Sequence, residues 1–563
     1  MSQTLLKLKS KFRDYDIDGY IIPKNDEFFS EYTHKDRLKA ISKFSGSAGY
    51  AIILKNKNYL FVDGRYTLQA KIESGKNFKI LPYDNLFNCK IFRNLKIGVD
   101  PKIITKNQIK NFFPYNEIKF IKNNLIDEII KFKKVADKPF FSLNNKIAGE
   151  SSRRKISKII TFLKNNNLDH IFISAPENVA WILNIRGQDS PNTPIPNSHL
   201  IISRNKKKFL ITNKNKVQKL ISKKLILKKE IIEPTEFKKI LNKLVGKKIS
   251  IDQKTCSIFF QEILKKKFRI IVKDDPIYLL KSIKNKIEIK NMIKAHIFDG
   301  VALTKFIYWM KIKNKRKITE VDAQNKLESF RKKNKFYLFP SFNTIAGSGK
   351  NAAIVHYRAT PSNNKQIEKK DIFLCDSGGQ YKYGTTDVTR TICFANQNSK
   401  IKKIFTQVLK GHIAVANVNL HKKKIGKMID IEARKFLKKD GLNYSHGTGH
   451  GVGYFLNVHE GPQAISKNNK IQIKEGMILS NEPGFYKKNK FGIRIENLIY
   501  AKKKSGKLIF NNLTLAPIDK DLINYKLLTK LENNYLFKYH YEVYLKISPY
   551  LNKNEKKWLA SFI

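Results

Sequence analysis

Short apolar runs that lead into acidic side chains or histidines dominate residues 371–500 of this 563-residue chain. The run at 372–374 leads to Asp376, and after a two-glycine turn a second predicted strand carries Asp387. Two strands of a hairpin can place these carboxylates side by side, where they repel each other when both are ionised. A divalent cation between them removes that conflict, so the pair predicts a metal site. A single Asp more often caps a turn, so the prediction depends on the pair.

The glycine-rich segment HGTGHGVGYFLNVHEGP (446–462) carries His446, His450 and His459. It fits neither of the common phosphate-loop patterns. A lone histidine is more often structural than a ligand, but three histidines in one short segment favour a site. Imidazole is a common ligand of first-row metals, and a second histidine nearby can donate to a developing oxyanion.

Two glutamates complete the set. Glu482 follows an apolar strand and precedes a Pro-Gly turn, and Glu496 lies in the predicted strand GIRIENLIY. Alternation places Ile493 and Ile495 on one face of that strand and Arg494 and Glu496 on the other. A buried strand glutamate is costly unless it is paired or binds a metal. An ion pair between Glu496 and Arg494 is the alternative to a metal ligand.

Four carboxylates and one imidazole indicate a two-metal site. Oxygen donors suit Mn or Mg, and the added imidazole brings Fe, Co or Zn into range. Two ions about 3.5–4 Å apart can share bridging carboxylates and a bridging water, which becomes a hydroxide near neutral pH and attacks a carbonyl. The chemistry that this set predicts is hydrolysis.

The composition allows large hydrophobic cores, and the distribution of the positive charge indicates no specific function for it. Apolar residues make up 41% of the chain, and its length suggests about three or four domains. The net charge of +63 raises the alternative of a polyanion partner. The lysines, however, run from end to end with many Ile and Asn residues, as a drift towards AT-rich codons would produce. Nucleic-acid modules instead concentrate their charge and interleave aromatic residues, so we expect no specific nucleic-acid partner.

Cysteine spacing and hydropathy favour a cytoplasmic protein. Cys89, Cys256, Cys375 and Cys393 form no CxxC pair and no evident disulfide framework, which suits a reducing compartment. The N-terminal residues contain no apolar signal-peptide core, and no run approaches 18 apolar residues. We therefore expect neither a membrane span nor a membrane partner.

Changes in the hydrophobic pattern divide the chain into 1–135, 136–275, 276–500 and 501–563. The first two segments alternate short helices and strands in a similar order. They include a predicted hairpin and helix over 50–70, a helix near 148–165, strands at 171–175, 199–203 and 208–212, and a proline-rich loop at 186–198. The third begins with helical spacing over 281–311, and Thr319 with Asp322 predicts a capped helix. The tail returns to helical and aromatic content.

At this point the motifs resemble those of a known family. GTTDVTRT, HGTGHGVG, LNVHEGP, NEPGFY and GIRIEN are similar to motifs of the pita-bread metallopeptidases, and most similar to the long, three-domain form of aminopeptidase P, the Xaa-Pro aminopeptidases. RLKAISKFSGSAG (37–49), VDGRYTLQA (62–70), WILNIRG (181–187) and TLAPIDKDLI (514–523) extend the resemblance over nearly the whole chain. It implies an α/β protein in which two creatinase-like α/β domains precede a pita-bread metallopeptidase domain.

The resemblance also implies ligands and roles. Asp376 would bind one ion, His450 and Glu482 would bind the other, and Asp387 and Glu496 would bridge both. Glu482 would also move a proton for the nucleophilic water. His356 and His459 would contact the substrate, and His459 would also stabilise the tetrahedral intermediate. Arg494 would support Glu496 or the substrate. Arg37 would be a further substrate contact.

The implied activity is cleavage of the bond between an N-terminal residue and a penultimate proline. The implied cofactors are two divalent ions, Mn²⁺ first and Zn²⁺ or Co²⁺ as alternatives. The implied partners are peptides with proline at position two and a second copy of the chain, as a homodimer. Two alternatives stay open: a prolidase that acts on Xaa-Pro dipeptides, and a non-catalytic pita-bread protein that binds a partner.

Overall fold

A computed structural model describes residues 2–87, 91–133, 135–313 and 317–563, and Cys89 lies outside them. The chain divides into two compact units, Met1–Tyr278 and Leu279–Ile563. Cys256, Cys375 and Cys393 are buried thiols. Among the described residues, no helix combines the length and the apolarity needed to cross a membrane.

The first unit is built from short strands and helices that alternate along the chain. Its strands are β1 Gly19–Pro23, β2 Tyr50–Leu54, β3 Asn58–Val62, β4 Lys79–Pro82, β5 Lys96–Val99, β6 Glu117–Phe120, β7 Phe141–Ser142, β8 His170–Ile173, β9 Ile185–Arg186, β10 His199–Ser203, β11 Lys208–Ile211, β12 Ile231–Ile232, β13 Lys248–Ile251 and β14 Arg269–Val272. Its helices are α1 Gln3–Asp14, α2 Arg37–Ser42, α3 Thr67–Ser74, α4 Lys106–Phe112, α5 Leu125–Ile129, α6 Asn145–Ala148, α7 Ser152–Asn165, α8 Pro176–Leu183, α9 Gln218–Ser222, α10 Phe237–Asn242 and α11 Ile258–Lys265.

Two six-stranded sheets of the same topology form this unit. Their strand orders are β4-β3-β2-β1-β5-β6 and β12-β11-β10-β8-β13-β14. In each sheet an antiparallel three-stranded meander lies at the centre, and the outer strands join it in parallel. The similar order of elements in the two sequence segments therefore reflects one architecture used twice.

Local sequence signals predict most of these elements. The hairpin β2–β3 and helix α3 occupy the stretch predicted for them. The helix predicted near 148–165 is α7, Ser152–Asn165, and the short helix α6 ends just before it. Gly149, at φ 71°, ends α6, and Ser151 caps α7 by accepting from the backbone N–H of Arg154.

The second unit combines long helices with small curved sheets. Its helices are α12 Pro276–Ser282, which spans the division, α13 Lys286–Lys313, α14 Glu320–Lys332, α15 Ser399–Ala416, α16 Gly426–Lys438, α17 Lys530–Ile547 and α18 Lys553–Ala560. Its strands are β15 Tyr337–Pro340, β16 Ile345–Ser348, β17 Ile372–Ser377, β18 Gly379–Tyr381, β19 Gly384–Thr385, β20 Val388–Cys393, β21 Gly449–Gly451, β22 Glu460–Ile465, β23 Ile478–Asn481, β24 Gly484–Lys487, β25 Phe491–Arg494, β26 Asn497–Lys504 and β27 Lys507–Asn512.

Two sheets of this unit carry the predicted ligands: β16-β17-β20, and β22-β21-β23-β26-β27. The predicted capping box at Thr319 and Asp322 is present at the start of α14. The helical spacing over 281–311, however, covers a break: α12 ends at Ser282, and Asn285 caps α13 by accepting from the backbone of Glu288. The hairpin β26–β27 runs across position 500/501 and extends the second sheet.

The C-terminal helices pack against the rest of this unit. Leu536, Tyr539 and Val543 of α17 join a hydrophobic core with Phe405 and Val408 of α15. In addition, the guanidinium of Arg390, on β20, donates to the hydroxyl of Tyr539 at 2.9 Å. Burial of aromatic and aliphatic side chains is the main force that holds this extension in place.

Candidate metal centre

The hairpin predicted from DIFLCDSGG and GTTDVTRT brings Asp376 and Asp387 together. Strands β17 and β20 are antiparallel, and Asp376 pairs with Thr389, two residues after Asp387. Asp387 immediately precedes β20 rather than lying inside it. Asp376 accepts from the Nη2 of Arg494 at 2.6 Å through Oδ2, while its buried Oδ1 has no hydrogen-bond partner among the described residues. A buried carboxylate oxygen without a donor is a fitting ligand for a cation.

His450 lies on β21 with its Nε2 facing carboxylates. That nitrogen is 3.4 Å from Oδ2 of Asp387 and 3.5 Å from Oε1 of Glu482. The other ring nitrogen, Nδ1, is 2.9 Å from the carbonyl oxygen of Gly451, which can only accept, so we assign the proton to Nδ1. Such a bond fixes the ring and leaves the Nε2 lone pair for a metal.

A glycine next to His450 permits this placement. A Cβ at Gly449 would lie 1.9 Å from the carbonyl oxygen of Ser480, so only glycine fits between β21 and β23. The hydroxyl of Ser480 accepts from the backbone N–H of His450 at 2.9 Å and donates to Oε1 of Glu482 at 3.0 Å. One serine therefore orients two predicted ligands.

Glu496 lies between two strands rather than within one. Strand β25 ends at Arg494 and β26 begins at Asn497. The Oε2 of Glu496 accepts from the hydroxyl of Thr389 at 2.7 Å, and Arg494 donates from Nε to that same hydroxyl at 3.0 Å. Arg494 forms its ion pair with Asp376 rather than with Glu496.

These side chains form one buried cluster. One ligand atom each of Asp387, His450 and Glu496 lies within 4.8 Å of the others. Burial raises the pKa of Glu496 well above its usual range, and the neighbouring Asp387, Glu482 and Asp376 raise it further. Burial also raises the pKa of Asp387, with Asp376 and Glu482 adding to the shift. Acids that hinder each other's ionisation in this way form a site that divalent cations stabilise, and the donor set fits two such ions.

One of the two predicted substrate histidines packs directly against a predicted ligand. The rings of His459 and His450 are edge to face, with centroids 4.4 Å apart. His356 is partly exposed and directly follows Val355, whose carbonyl oxygen is 3.4 Å from Nη2 of Arg494. His459 therefore packs against a predicted ligand, and His356 follows a residue whose backbone contacts Arg494.

Arg37 lies in the first unit and is almost fully buried. Its guanidinium donates to both carboxylate oxygens of Asp127, at 2.7 and 2.8 Å, and to Glu27 at 2.6 Å. Two acidic partners therefore hold this side chain inside its own unit.

Three residues that the motifs did not predict support the centre: Ser480, Thr389 and Tyr486. The hydroxyl of Tyr486 accepts from Nη1 of Arg494 at 2.5 Å and lies 2.9 Å from Nε2 of His446. The only sequence signal for these residues is that Thr389 and Tyr486 lie within the ligand motifs and Ser480 directly precedes one. Their partners are distant in sequence, which a local pattern does not reveal.

A second acidic cluster, outside this centre, already holds a cation. Asp519, Asp521 and Cys393 place ligand-type atoms within 4.8 Å of one another. The ammonium of Lys311 lies 2.6 Å from Asp519 and 3.0 Å from Asp521. A lysine charge therefore does here what a metal ion would do in the first cluster.

Residues 290–503 match Metallopeptidase family M24, residues 131–288 match the Creatinase/Prolidase N-terminal domain, and residues 506–561 match the C-terminal region of peptidase M24. The chain is 34% identical to "Probable Xaa-Pro aminopeptidase P" of Laccaria bicolor, over 99% of this chain and 92% of the relative. It is 35% identical to "Xaa-Pro aminopeptidase 1" of Dictyostelium discoideum, over 100% and 96%.

The chain belongs to the aminopeptidase P family of M24 metallopeptidases. The family membership confirms the predicted fold class, two creatinase-like domains before a pita-bread domain, and makes the protein a metal-dependent hydrolase.

Solved structures agree with this membership. X-prolyl aminopeptidase of Caenorhabditis elegans, described as a cytosolic enzyme with a di-nuclear active site, matches with a TM-score of 0.92 at 29% identity, over 99% of this chain and 98% of that one. The prolidase of Pyrococcus furiosus matches with a TM-score of 0.52 at 28% identity and covers 63% of this chain and 98% of its own. The long aminopeptidase P form thus accounts for residues that the shorter prolidase lacks.

Proposed function

We propose that this protein removes the N-terminal residue from peptides that have proline at position two. The convergence of Asp387, His450 and Glu496, with Asp376 and Glu482 beside them, carries this proposal. The preference for proline at position two is proposed from the relatives named Xaa-Pro aminopeptidase, which match over nearly the whole chain. An Xaa-Pro bond lacks the N–H that general peptidases recognise, which makes a dedicated site useful.

Each ligand has a distinct place in the proposed centre. Asp387 and Glu496 would bridge the two ions, Asp376 would hold one, and His450 and Glu482 the other. Bound divalent cations supply a nucleophilic water at neutral pH and polarise the scissile carbonyl. All five proposed ligands are present in the sequence, which supports an enzyme over a non-catalytic binding protein.

The remaining side chains would bind and orient the peptide and move protons. Glu482, which Ser480 holds through Oε1, would take the proton of the nucleophilic water and pass it to the leaving proline nitrogen. His459 would donate to the carbonyl oxygen as charge develops on it, and His356 would contact the substrate. Arg494 would fix Asp376 directly and Glu496 through Thr389. Arg37 is proposed as a substrate contact on the resemblance alone.

The finer assignments are part of the same proposal. We propose Mn²⁺ as the metal, with Zn²⁺ and Co²⁺ as alternatives, because the donors are four carboxylates and one imidazole. We also propose a cytoplasmic homodimer with the domains 1–135, 136–275, 276–500 and 501–563. The name of the Caenorhabditis elegans relative, a cytosolic enzyme, supports the location.

A comparison of two substrates tests the specificity. The full chain, loaded with Mn²⁺, Zn²⁺ or Co²⁺ in turn, should cleave an Xaa-Pro-Yaa tripeptide and leave an Xaa-Pro dipeptide largely intact. A coupled assay for the released first residue measures both rates. Faster cleavage of the dipeptide would identify a prolidase, and cleavage of neither peptide with any metal would favour the binding-protein alternative.

A second test separates His459 from the ligands. His459→Ala should lower kcat by about 10²–10³-fold, the usual cost of removing one oxyanion donor. Bound metal should stay at the wild-type level, because His459 is not a proposed ligand. Elemental analysis of the purified variant checks this, and a loss of metal along with activity would contradict the assigned role.

A further inference from the structure

Next to His459, the first residue of β22 is a buried glutamate with two buried lysines around it. Oε2 of Glu460 lies 3.3 Å from the Nζ of Lys281, and its Oε1 pairs with the Nζ of Lys284. The three side chains are at most 2% exposed. Burial lowers the pKa of Lys284 even though Glu460 is beside it. Burying this ammonium therefore costs free energy, which a structural or functional role of the cluster would explain.

The two lysines come from the break in the predicted 281–311 helix. Between α12 and α13 the chain is extended, and Ile283 forms a bridge with Met477, just before β23. The backbone N–H of Lys284 donates to the carbonyl of Gly476 at 3.0 Å. This break therefore fixes Lys284 to the chain that leads through β23 to Glu482.

The backbone of Glu460 also joins two histidine-bearing segments. Its backbone pairs with Gly451, the residue after His450, at an irregularity in the β21–β22 ladder. A Cβ at Gly451 would lie 2.4 Å from the carbonyl oxygen of Glu460, so the two backbones touch. Successive residues of an extended chain point to opposite sides, so Glu460 can reach the lysines while His459 packs on His450.

We propose that the Lys281–Glu460–Lys284 cluster positions His459 for the reaction. The two lysines fix the carboxylate of Glu460 from two sides. Because His459 directly precedes Glu460, this also fixes the backbone that carries His459. Apolar side chains of similar volume would fill the same space at lower cost, whereas two directed ion pairs define one position for the start of β22. The inference rests on the proposed role of His459, and Glu460 acts through that residue rather than on the substrate.

A double-mutant cycle in kcat tests this coupling. Glu460→Gln, His459→Ala and the double variant are loaded with Mn²⁺ and assayed on an Xaa-Pro-Yaa tripeptide. Glu460→Gln alone should lower kcat by about 10–100-fold, as the loss of supporting residues does, with metal content retained and KM nearly unchanged. In the His459→Ala background the same change should have almost no further effect, because residues that act as a unit are non-additive.

Independent losses that multiply in the double variant would overturn the proposal, because they would place Glu460 outside the action of His459. Lys286→Met, an exposed lysine two residues after Lys284, serves as the control and should keep wild-type kinetics. If Glu460→Gln does not fold, Lys281→Met replaces it in the cycle, since the pair Lys284–Glu460 remains neutral. Inactivity of the wild type on the tripeptide would instead refute the proposed function.

Discussion

Asp387→Ala is expected to abolish peptide hydrolysis and to lower the amount of bound metal. The carboxylate is 4% exposed, lies 3.4 Å from Nε2 of His450 and belongs to the cluster with Glu496. Residues that merely support a metal ligand change affinity or activity by about 10–100-fold, so removal of a proposed bridging ligand should exceed about 100-fold. Activity of the purified variant, with metal content by elemental analysis, measures both effects.

Two comparisons make this result specific. Asp521→Ala removes an acid from the other acidic cluster, in which Lys311 already supplies the positive charge. That variant should retain metal and activity. Removal of metal from the wild type by a chelator should abolish hydrolysis, and Mn²⁺ should restore it. Full activity after complete chelation, or equal loss of metal in both aspartate variants, would contradict the proposed centre.

The residue types of the proposed ligands were readable from the sequence because Asp376 and Glu482 follow short apolar runs and the other three lie in short motifs beside predicted strands. The structure brings Asp387, His450 and Glu496 within ligand distance of one another. Their convergence could not be read from local pattern, since it depends on how β20, β21 and β26 are arranged. The resemblance to a family supplied that arrangement.

The predicted element boundaries are wrong where tertiary contacts override the local hydrophobic pattern. Alternation predicts one strand through GIRIENLIY, yet the chain leaves the β24–β25 hairpin at Ile495, whose N–H donates to Pro483. It then crosses to β20, where the N–H of Glu496 donates to Thr389. Periodicity gives the face of a residue but not the point at which the chain changes sheets.

The break near Asn285 has the same cause. Helical spacing continues through 281–311, but the helix is interrupted at Ile283. This residue forms an isolated antiparallel β-bridge with Met477, the residue before β23. Asn285 was the available local signal, because Asn is a favoured N-cap. An Asn inside a stretch of helical spacing can therefore mark the start of a new helix.

Arg494→Met is expected to destabilise the protein more without metal than with it. The guanidinium is 1% exposed and donates to Asp376, Thr389 and Tyr486. Loss of one partner of a buried ion pair costs about 3–5 kcal/mol. In chelated protein Arg494 is the cation that pairs with Asp376, whereas bound metal would compensate much of that carboxylate's charge. Calorimetric melting temperatures, with chelator and with Mn²⁺, measure the difference.

Arg494→Lys separates charge from geometry. An ammonium keeps the positive charge but cannot present the planar fork that reaches Asp376, Thr389 and Tyr486 together. Its melting temperature should lie between those of the wild type and the Met variant, while its kcat should still fall by about 10–100-fold, because Glu496 loses its support through Thr389. The exposed Arg153→Lys is the matched control and should behave as the wild type. An equal loss of stability for Arg494→Met with and without metal would mean that Arg494 acts by packing rather than by its charge.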